Sequence, residues 1–279
     1  MKIYFSVISH HHDELILKLK TLQRLSKYKN IIVIFRDNLY SKNVEEYCAG
    51  LGIDYTCNNR QKGFSENNNL NFLRAKELGM KNSDYFILLN PDVYMTHSDI
   101  DLLIKNMYEK QIKLAAPNLF LNKNKTLFDD NLRTYPKFLN FIKNYLAGNR
   151  STVINKEMPD KIGDTYWASG AFLIVKSSLY EQLNGFDERY YLYCEDIDFC
   201  YRALQLGVKV SFFAENTAVH YRQCASRKFL SREFFLHVIS VFKYVQMIHG
   251  YACTRSQLKL NRITAVKVKD KPVDATHNA

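Results

Sequence analysis

Apolar positions in the first half of the chain fall into short β-rich runs separated by stretches of helical period. Ile3–Ser9 is a continuous run of strand length, and Glu14–Leu25 places Leu15, Leu19 and Leu22 on one helical face. Ile31–Phe35 is a second predicted strand, followed by a helical stretch near Val44–Ala49. Asp54–Cys57 is a third, weaker strand, Asn69–Leu78 a helix, and Tyr85–Leu89 a fourth strand. A helix from Ile100 to Glu109 and a fifth strand, Leu114–Phe120, complete the alternation. Strands and helices in this order predict an α/β fold, a mostly parallel sheet covered on both faces.

The second half is less regular. Tyr166–Val175 is a long apolar run interrupted by small residues, Glu195–Leu206 reads as a helix, Val208–Phe213 as a strand and Arg232–Ile248 as an aromatic-rich helix. Beyond Tyr251 the periodicity fades. The predicted organisation is one domain over residues 1–225, with a nucleotide-binding half to about residue 120 and an acceptor half after it. An amphipathic helix over 226–252 and a disordered basic tail over 253–279 follow.

Composition narrows the class. Of 279 residues, 47% are hydrophobic and 14% aromatic, which suits an ordered globular protein. The cysteines form no CxxC pair and no zinc-ligand spacing, the apolar run after Lys2 is too short for a secretory signal, and no stretch has membrane-span length. A reduced, cytosolic protein is the expectation. The formal charge is +11, and most of it lies from Arg202 onwards, where thirteen Lys and Arg face only Glu215, Glu233, Asp270 and Asp274. That excess suits an anionic surface such as lipid head groups. The helix Ser231–Gly250 carries Phe234, Phe235, Ile239 and Phe242 beside Arg232 and Lys243, as an interfacial, core-packing or homodimer-forming helix would. No RRM or helix-turn-helix pattern accompanies the charge, so no nucleic acid is expected. The Ser6–Glu14 segment lacks glycine, against a nucleotidyltransferase loop.

Ligands of open parallel sheets bind beyond the carboxyl ends of the strands, and there this chain concentrates polar residues. The first strand ends in Ser9-His10, the second in Arg36-Asp37-Asn38, and the fourth in Asn90-Pro91-Asp92. After the third come Gly63-Phe64 and then Asn67-Asn68-Asn69. Each alone reads equally as a turn or cap residue; together they describe a nucleotide pocket.

These residues, with Gly170-Ala171-Phe172, Gly185-Phe186-Asp187-Glu188, Tyr193-Cys194-Glu195-Asp196-Ile197-Asp198, Arg202 and His220 in order, resemble the family 2 glycosyltransferases. The resemblance spans about residues 3–245. It implies the GT-A fold, a Rossmann-like nucleotide-binding sheet, and an inverting transfer from a nucleotide sugar. It also implies donor contacts at Ser9, His10, Asp37, Asn38, Gly63, Phe64, Asn68, Asn69, Asn90 and Asp92. Asp196 is implied as the catalytic base, with Trp167, Gly170 and Glu195 on the acceptor side. Asp92 and His220 are the implied ligands of Mg²⁺ or Mn²⁺, although Asn90 replaces the first carboxylate of the commoner Asp-x-Asp. His220 also reads as a structural histidine, and Trp167 as a core residue. The LNPD and YCEDID segments look most like bacterial O-antigen rhamnosyltransferases. Those imply dTDP-L-rhamnose as donor, a polyprenyl-diphosphate-linked saccharide as acceptor and the cytoplasmic face of the inner membrane as location. A UDP- or GDP-sugar donor, or an inactive assembly partner, is the alternative.

Overall fold

The computed structural model describes residues 1–137, 140, 150–222, 232–250 and 254–258. Its first half runs β1 (Ile3–Ser9), α1 (Asp13–Leu19), α2 (Thr21–Leu25), β2 (Ile31–Asp37), α3 (Lys42–Gly50), β3 (Asp54–Cys57) and α4 (Phe64–Glu77). Next come β4 (Tyr85–Leu89), β5 (Val93–Tyr94), α5 (His97–Lys110), β6 (Leu114–Phe120) and β7 (Leu132–Arg133). The second half adds β8 (Trp167–Ala168), β9 (Phe172–Lys176), α6 (Ser177–Gln182), α7 (Glu195–Gln205), β10 (Ser211–His220) and α8 (Arg232–Ile248).

Eight strands form one sheet in the order β3-β2-β1-β4-β9-β6-β10-β5. β3, β2, β1 and β4 are parallel, as are β6 and β10. β9 runs antiparallel between β4 and β6, and β5 is antiparallel to β10. The sheet is buried on both faces, which is why its strands read as continuous apolar runs rather than alternating ones. Tyr4, Phe86, Leu88, Leu173 and Val175 face the core shared with Phe72, Tyr180, Phe199 and Tyr244. Phe5, Val7, Ile87, Leu89 and Ile174 face the opposite core with Ile16, Leu22, Val44 and Leu103.

The predicted α/β sheet is present, and five local expectations are corrected. The helix read over Glu14–Leu25 is two helices, because Lys20 adopts a left-handed conformation and Arg24 Nη1 takes the carbonyl of Leu19 at 2.7 Å. The long run at 166–175 is split into β8 and β9 by the turn at Gly170-Ala171. The strand read from Val208 starts at Ser211, because the N–H groups of Gly207 and Val208 close the end of α7 on Leu204 and Ala203. It then continues to His220. Residues 254–258 of the predicted tail are docked: Leu258 is 1% exposed, and the Glu188 N–H donates to the Arg255 carbonyl. The remainder of that tail lies outside the described residues.

The fifth correction matters most for the site. The helix read from Asn69 begins five residues earlier, at Phe64, so Asn67 and Asn68 lie with Asn69 in the first turns of α4 rather than in the loop after β3. Helix propensity disfavours asparagine, but here the amides bind across a packed interface. Ser6 Oγ donates to Asn68 Oδ1 at 2.7 Å and accepts from Asn71 Nδ2 at 2.9 Å. Asn69 Oδ1 accepts from Tyr180 Oη and the Phe186 N–H, and its Nδ2 donates to the Phe186 carbonyl, Glu188 and Ser256. Both residues are 0% exposed. Asn69 thus joins α4 to the Gly185–Glu188 turn and to residue 256.

Removing that amide leaves several buried polar groups without partners. Asn69→Ala is expected to lose about 2–4 kcal/mol of stability in equilibrium urea unfolding. Near-native stability with weakened nucleotide binding would instead assign Asn69 to the donor pocket.

Candidate active site

The parallel strands bring their polar ends together. Ser9, Asp37 and Cys57 are in register at the ends of β1, β2 and β3. Asn38, next in the chain, organises the loop after β3. Its Nδ2 donates to the Lys62 carbonyl, and its Oδ1 accepts from the Lys62 N–H and Asn58 Nδ2. Asp37 Oδ2 accepts from the Ser41 N–H and Tyr55 Oη, while its buried Oδ1 and the buried Ser9 Oγ have no partner among the described residues. Burial pushes the Asp37 carboxyl above its ordinary value against those hydrogen bonds. Two orphaned polar atoms side by side at strand ends are what a ligand with complementary groups would satisfy. His10 is exposed at the mouth of this region.

A second cluster forms where β10 ends. His220 pairs with Val93 across β5, so Asp92, one residue earlier, faces its ring. Asp92 Oδ1 lies 3.3 Å from His220 Nε2 and makes no aligned hydrogen bond. On the other side of the ring, His220 Nδ1 lies 2.8 Å from Asp129 Oδ2, and Arg222 Nη2 donates to Asp129 Oδ1 at 2.6 Å. Burial disfavours charge on His220, but its hydrogen bond to Asp129 and the negative charges of Asp129 and Asp92 prevail and raise it to about 9. Burial works against Asp92 and Asp129 as well, yet His220 holds both below the usual carboxylate range. Asp92 Oδ1 and His220 Nε2 form an oxygen–nitrogen donor pair that fits a divalent cation with its other positions open to diphosphate or water. Among the described residues no group of three or more His, Cys, Asp or Glu is arranged to hold a metal by itself.

The third cluster stands at the start of α7. Tyr193 and Cys194 both adopt positive φ, 71° and 63°, an uncommon strain for side-chain-bearing residues. That turn points the helix N-terminus at Gly170. Asp196 Oδ2 accepts from the Gly170 N–H at 3.2 Å, and Oδ1 accepts from the Ile197 N–H. Burial raises Asp196 to about 6, moderated by those N–H groups and by Arg133. Glu195 is 6% exposed, with Oε2 unpartnered, and burial beside Asp196 pushes it well above its ordinary range. Asp198 has a structural partner in Arg202, which also donates to the Leu183 and Gly185 carbonyls.

One turn links the second and third clusters. The Asn90 N–H donates to the Ala171 carbonyl at 2.8 Å, while Gly170, one residue earlier, donates to Asp196. The Asn-Pro-Asp turn and the acidic helix start are therefore fixed to the same two residues. Gly170 is closely packed there: a Cβ would sit 3.0 Å from the Phe64 ring, which would have to shift. Gly63 is held equally tightly, since its Cβ would meet the Tyr191 backbone oxygen at 2.5 Å.

The candidate residues thus divide. Ser9, Asp37, Asn90, Asp92, His220, Gly170, Glu195 and Asp196 sit at or beside the strand-end clusters. Asn38, Gly63 and Phe64 shape the wall between them; Asn68 and Asn69 are committed to the core. Trp167 belongs to the core cluster, with Nε1 donating to the Thr134 carbonyl. Asp129 and Arg222 were not singled out in the sequence. Asp129 sits in an irregular loop 91 residues from its histidine, and no local pattern marks it.

No family model matches the chain. The rhamnosyltransferase WbbL of Escherichia coli K12 is 34% identical over 250 residues, covering 87% of this chain and 92% of that protein. An N-acetylglucosaminyl-diphospho-decaprenol L-rhamnosyltransferase of Mycobacterium tuberculosis is 53% identical over 32 residues, 12% of this chain and 10% of that one. Among solved structures, the mannosyltransferase PcManGT of Pyrobaculum calidifontis, in complex with GDP-Man and Mn²⁺, superposes with a TM-score of 0.55 at 10% identity. The match covers 91% of this chain and 66% of that one, and at this identity it shows the GT-A fold alone. With a sheet of that fold and WbbL matched along nearly its whole length, the chain belongs to the family 2 glycosyltransferases and is an enzyme of the rhamnosyltransferase kind.

Proposed function

We propose that the enzyme transfers L-rhamnose from dTDP-L-rhamnose to a lipid-linked saccharide, inverting the anomeric centre, at the cytoplasmic face of a membrane. The observation that carries this reading is the shared turn at Gly170-Ala171, which ties the Asn90–Asp92 segment to Asp196. A leaving-group site and a base on one rigid support are what a single displacement needs. The donor sugar follows the rhamnosyltransferases to which the chain is similar, and the lipid-diphosphate acceptor follows the name of the mycobacterial protein. Among the described residues no helix is long and apolar enough to cross a membrane.

In this reading Ser9 Oγ and Asp37 Oδ1 receive the base, with the Asp37 oxygen accepting the pyrimidine ring N–H. Asp92 and His220 would hold Mg²⁺ or Mn²⁺, which supplies positive charge against the growing charge of the leaving diphosphate. Asp196 takes the proton of the acceptor hydroxyl as its oxygen attacks the anomeric carbon and the bond to the diphosphate breaks. The Gly170 and Ile197 N–H groups keep the Asp196 carboxylate aimed while it does so.

A thermal-shift panel of nucleotide sugars tests the donor. dTDP-L-rhamnose or dTDP with Mn²⁺ is expected to raise the melting temperature, and UDP or GDP sugars are not. Selective stabilisation by a UDP or GDP sugar would replace the donor and keep the enzyme class. Asp92→Asn is expected to lose the part of the shift that depends on the metal.

The base is tested by rate and pH. Asp196→Asn is expected to lower kcat about 10²–10⁴-fold. The wild-type kcat/KM should rise with pH through about 6 and then level, because Asp196 acts only when ionised. Raising the pKa of a carboxyl on folding removes stability as pH climbs from its unfolded value to about 6, so wild type should lose stability over that range and Asp196→Asn should not. Full activity of the Asn variant would move the base elsewhere.

A further inference from the structure

Asp129 has no role in the reaction as described so far, yet its carboxylate is 0% exposed and both oxygens are engaged. It is carried back to the end of β6 by a loop that folds on itself. The Leu121 N–H donates to the Leu127 carbonyl, and the Asp129 N–H donates to the Leu119 carbonyl. Lys156, buried beneath, donates to the Leu119 carbonyl and to Asn131 Oδ1 and fixes the same segment. Because β10 lies beside β6, with Val219 level with Phe120, this loop sets Asp129 against the ring of His220.

The chemistry of the contact is one-directional. A carboxylate only accepts, so the 2.8 Å contact makes His220 Nδ1 the donor and leaves Nε2 facing Asp92. One oxygen of Asp129 is held by His220 and the other by Arg222, so the carboxylate is turned to the ring and the guanidinium. We propose that Asp129 is a positioning residue: it fixes the ring and Nδ1 proton of His220, so that when a divalent cation binds beside Asp92 it is the Nε2 proton that leaves and the Nε2 lone pair that meets the cation. This rests on the metal-assisted reading above, and it extends that site to a residue that touches neither cation nor substrate.

Arg222 makes the inference sharply testable. In Asp129→Asn the amide has one acceptor for two donors. The permanently charged Arg222 claims the oxygen, and the amide NH₂ turns toward His220 Nδ1. With a donor facing Nδ1, the proton that the imidazole retains is the one on Nε2, the atom that the cation needs. EPR titration of MnCl₂ into the full chain with dTDP present is expected to show Mn²⁺ binding about 10–100-fold weaker in this variant. In Asp129→Asn/Arg222→Met the amide oxygen is free to turn back to Nδ1–H, and part of the lost affinity should return. A role in folding alone predicts no such return.

Asp129→Asn binding Mn²⁺ as tightly as wild type overturns the proposal, as does a double variant no better than the single one. Wild-type protein that binds no Mn²⁺ overturns the metal reading and this inference together. If the variants do not fold, the wild-type chain decides: a downfield imidazole N–H proton resonance, lost in His220→Gln, is expected, and its absence overturns the proposal.

Discussion

The constraint on which the rest of the molecule depends is the satisfaction of polar groups at the ends of buried parallel strands. A sheet covered on both faces leaves its carboxyl-end side chains facing neither water nor a following strand. Each must find a partner or be kept for a ligand. This protein does both. Asn38, Asn68 and Asn69 are matched internally, whereas Ser9 Oγ, Asp37 Oδ1 and Asp92 Oδ1 have no hydrogen-bond partner among the described residues. The division between saturated and orphaned atoms marks the boundary between scaffold and site more sharply than residue type does.

Asn69 makes that scaffold rigid across the two halves of the chain. Through the Phe186 backbone, Tyr180 and Glu188 it holds the Gly185–Glu188 turn, which Arg202 also grips while neutralising Asp198. The start of α7, and with it Asp196, is therefore positioned by contacts from both halves. Asp187 and Asp198 look like further acids of the active site, but their charges are spent on Arg189 and Arg202. The electrostatics follow the same logic. Asp92 and Asp129 stay ionised because a cationic His220 lies between them, while Asp196 has no ion pair among the described residues and is raised by burial into the range of a working base.

α8 illustrates how one amphipathic helix serves several readings until its neighbours are known. Val241, Tyr244 and Met247 enter the core, and Ser240 Oγ donates to the Leu192 carbonyl. Phe235 and Ile239 remain about half exposed on the outer face. Core packing thus explains one side of the apolar stripe, and a helix whose apolar arc is wider than its buried face retains a second apolar surface.

What the sequence determined by itself was local. Continuous apolar runs of strand length, helical spacing between them and glycines at close approaches fixed the α/β alternation, most element positions and the ordered motifs Gly185–Glu188 and Glu195–Asp198. These depend on neighbours a few residues apart, so the chain carries them openly. Only the tertiary structure decided the antiparallel insertion of β9, the helical position of Asn67 and Asn68 and the pairing of His220 with an aspartate 91 residues away. Strand order depends on long-range pairing, and an asparagine's preference for loops yields at Asn67 and Asn68 to hydrogen bonds with Asn58, the Lys62 carbonyl, Ser6 and the Phe64 carbonyl. Hydrogen bonds between distant residues leave no spacing in the sequence, and so the partners of the site, unlike its motifs, became visible only in the fold.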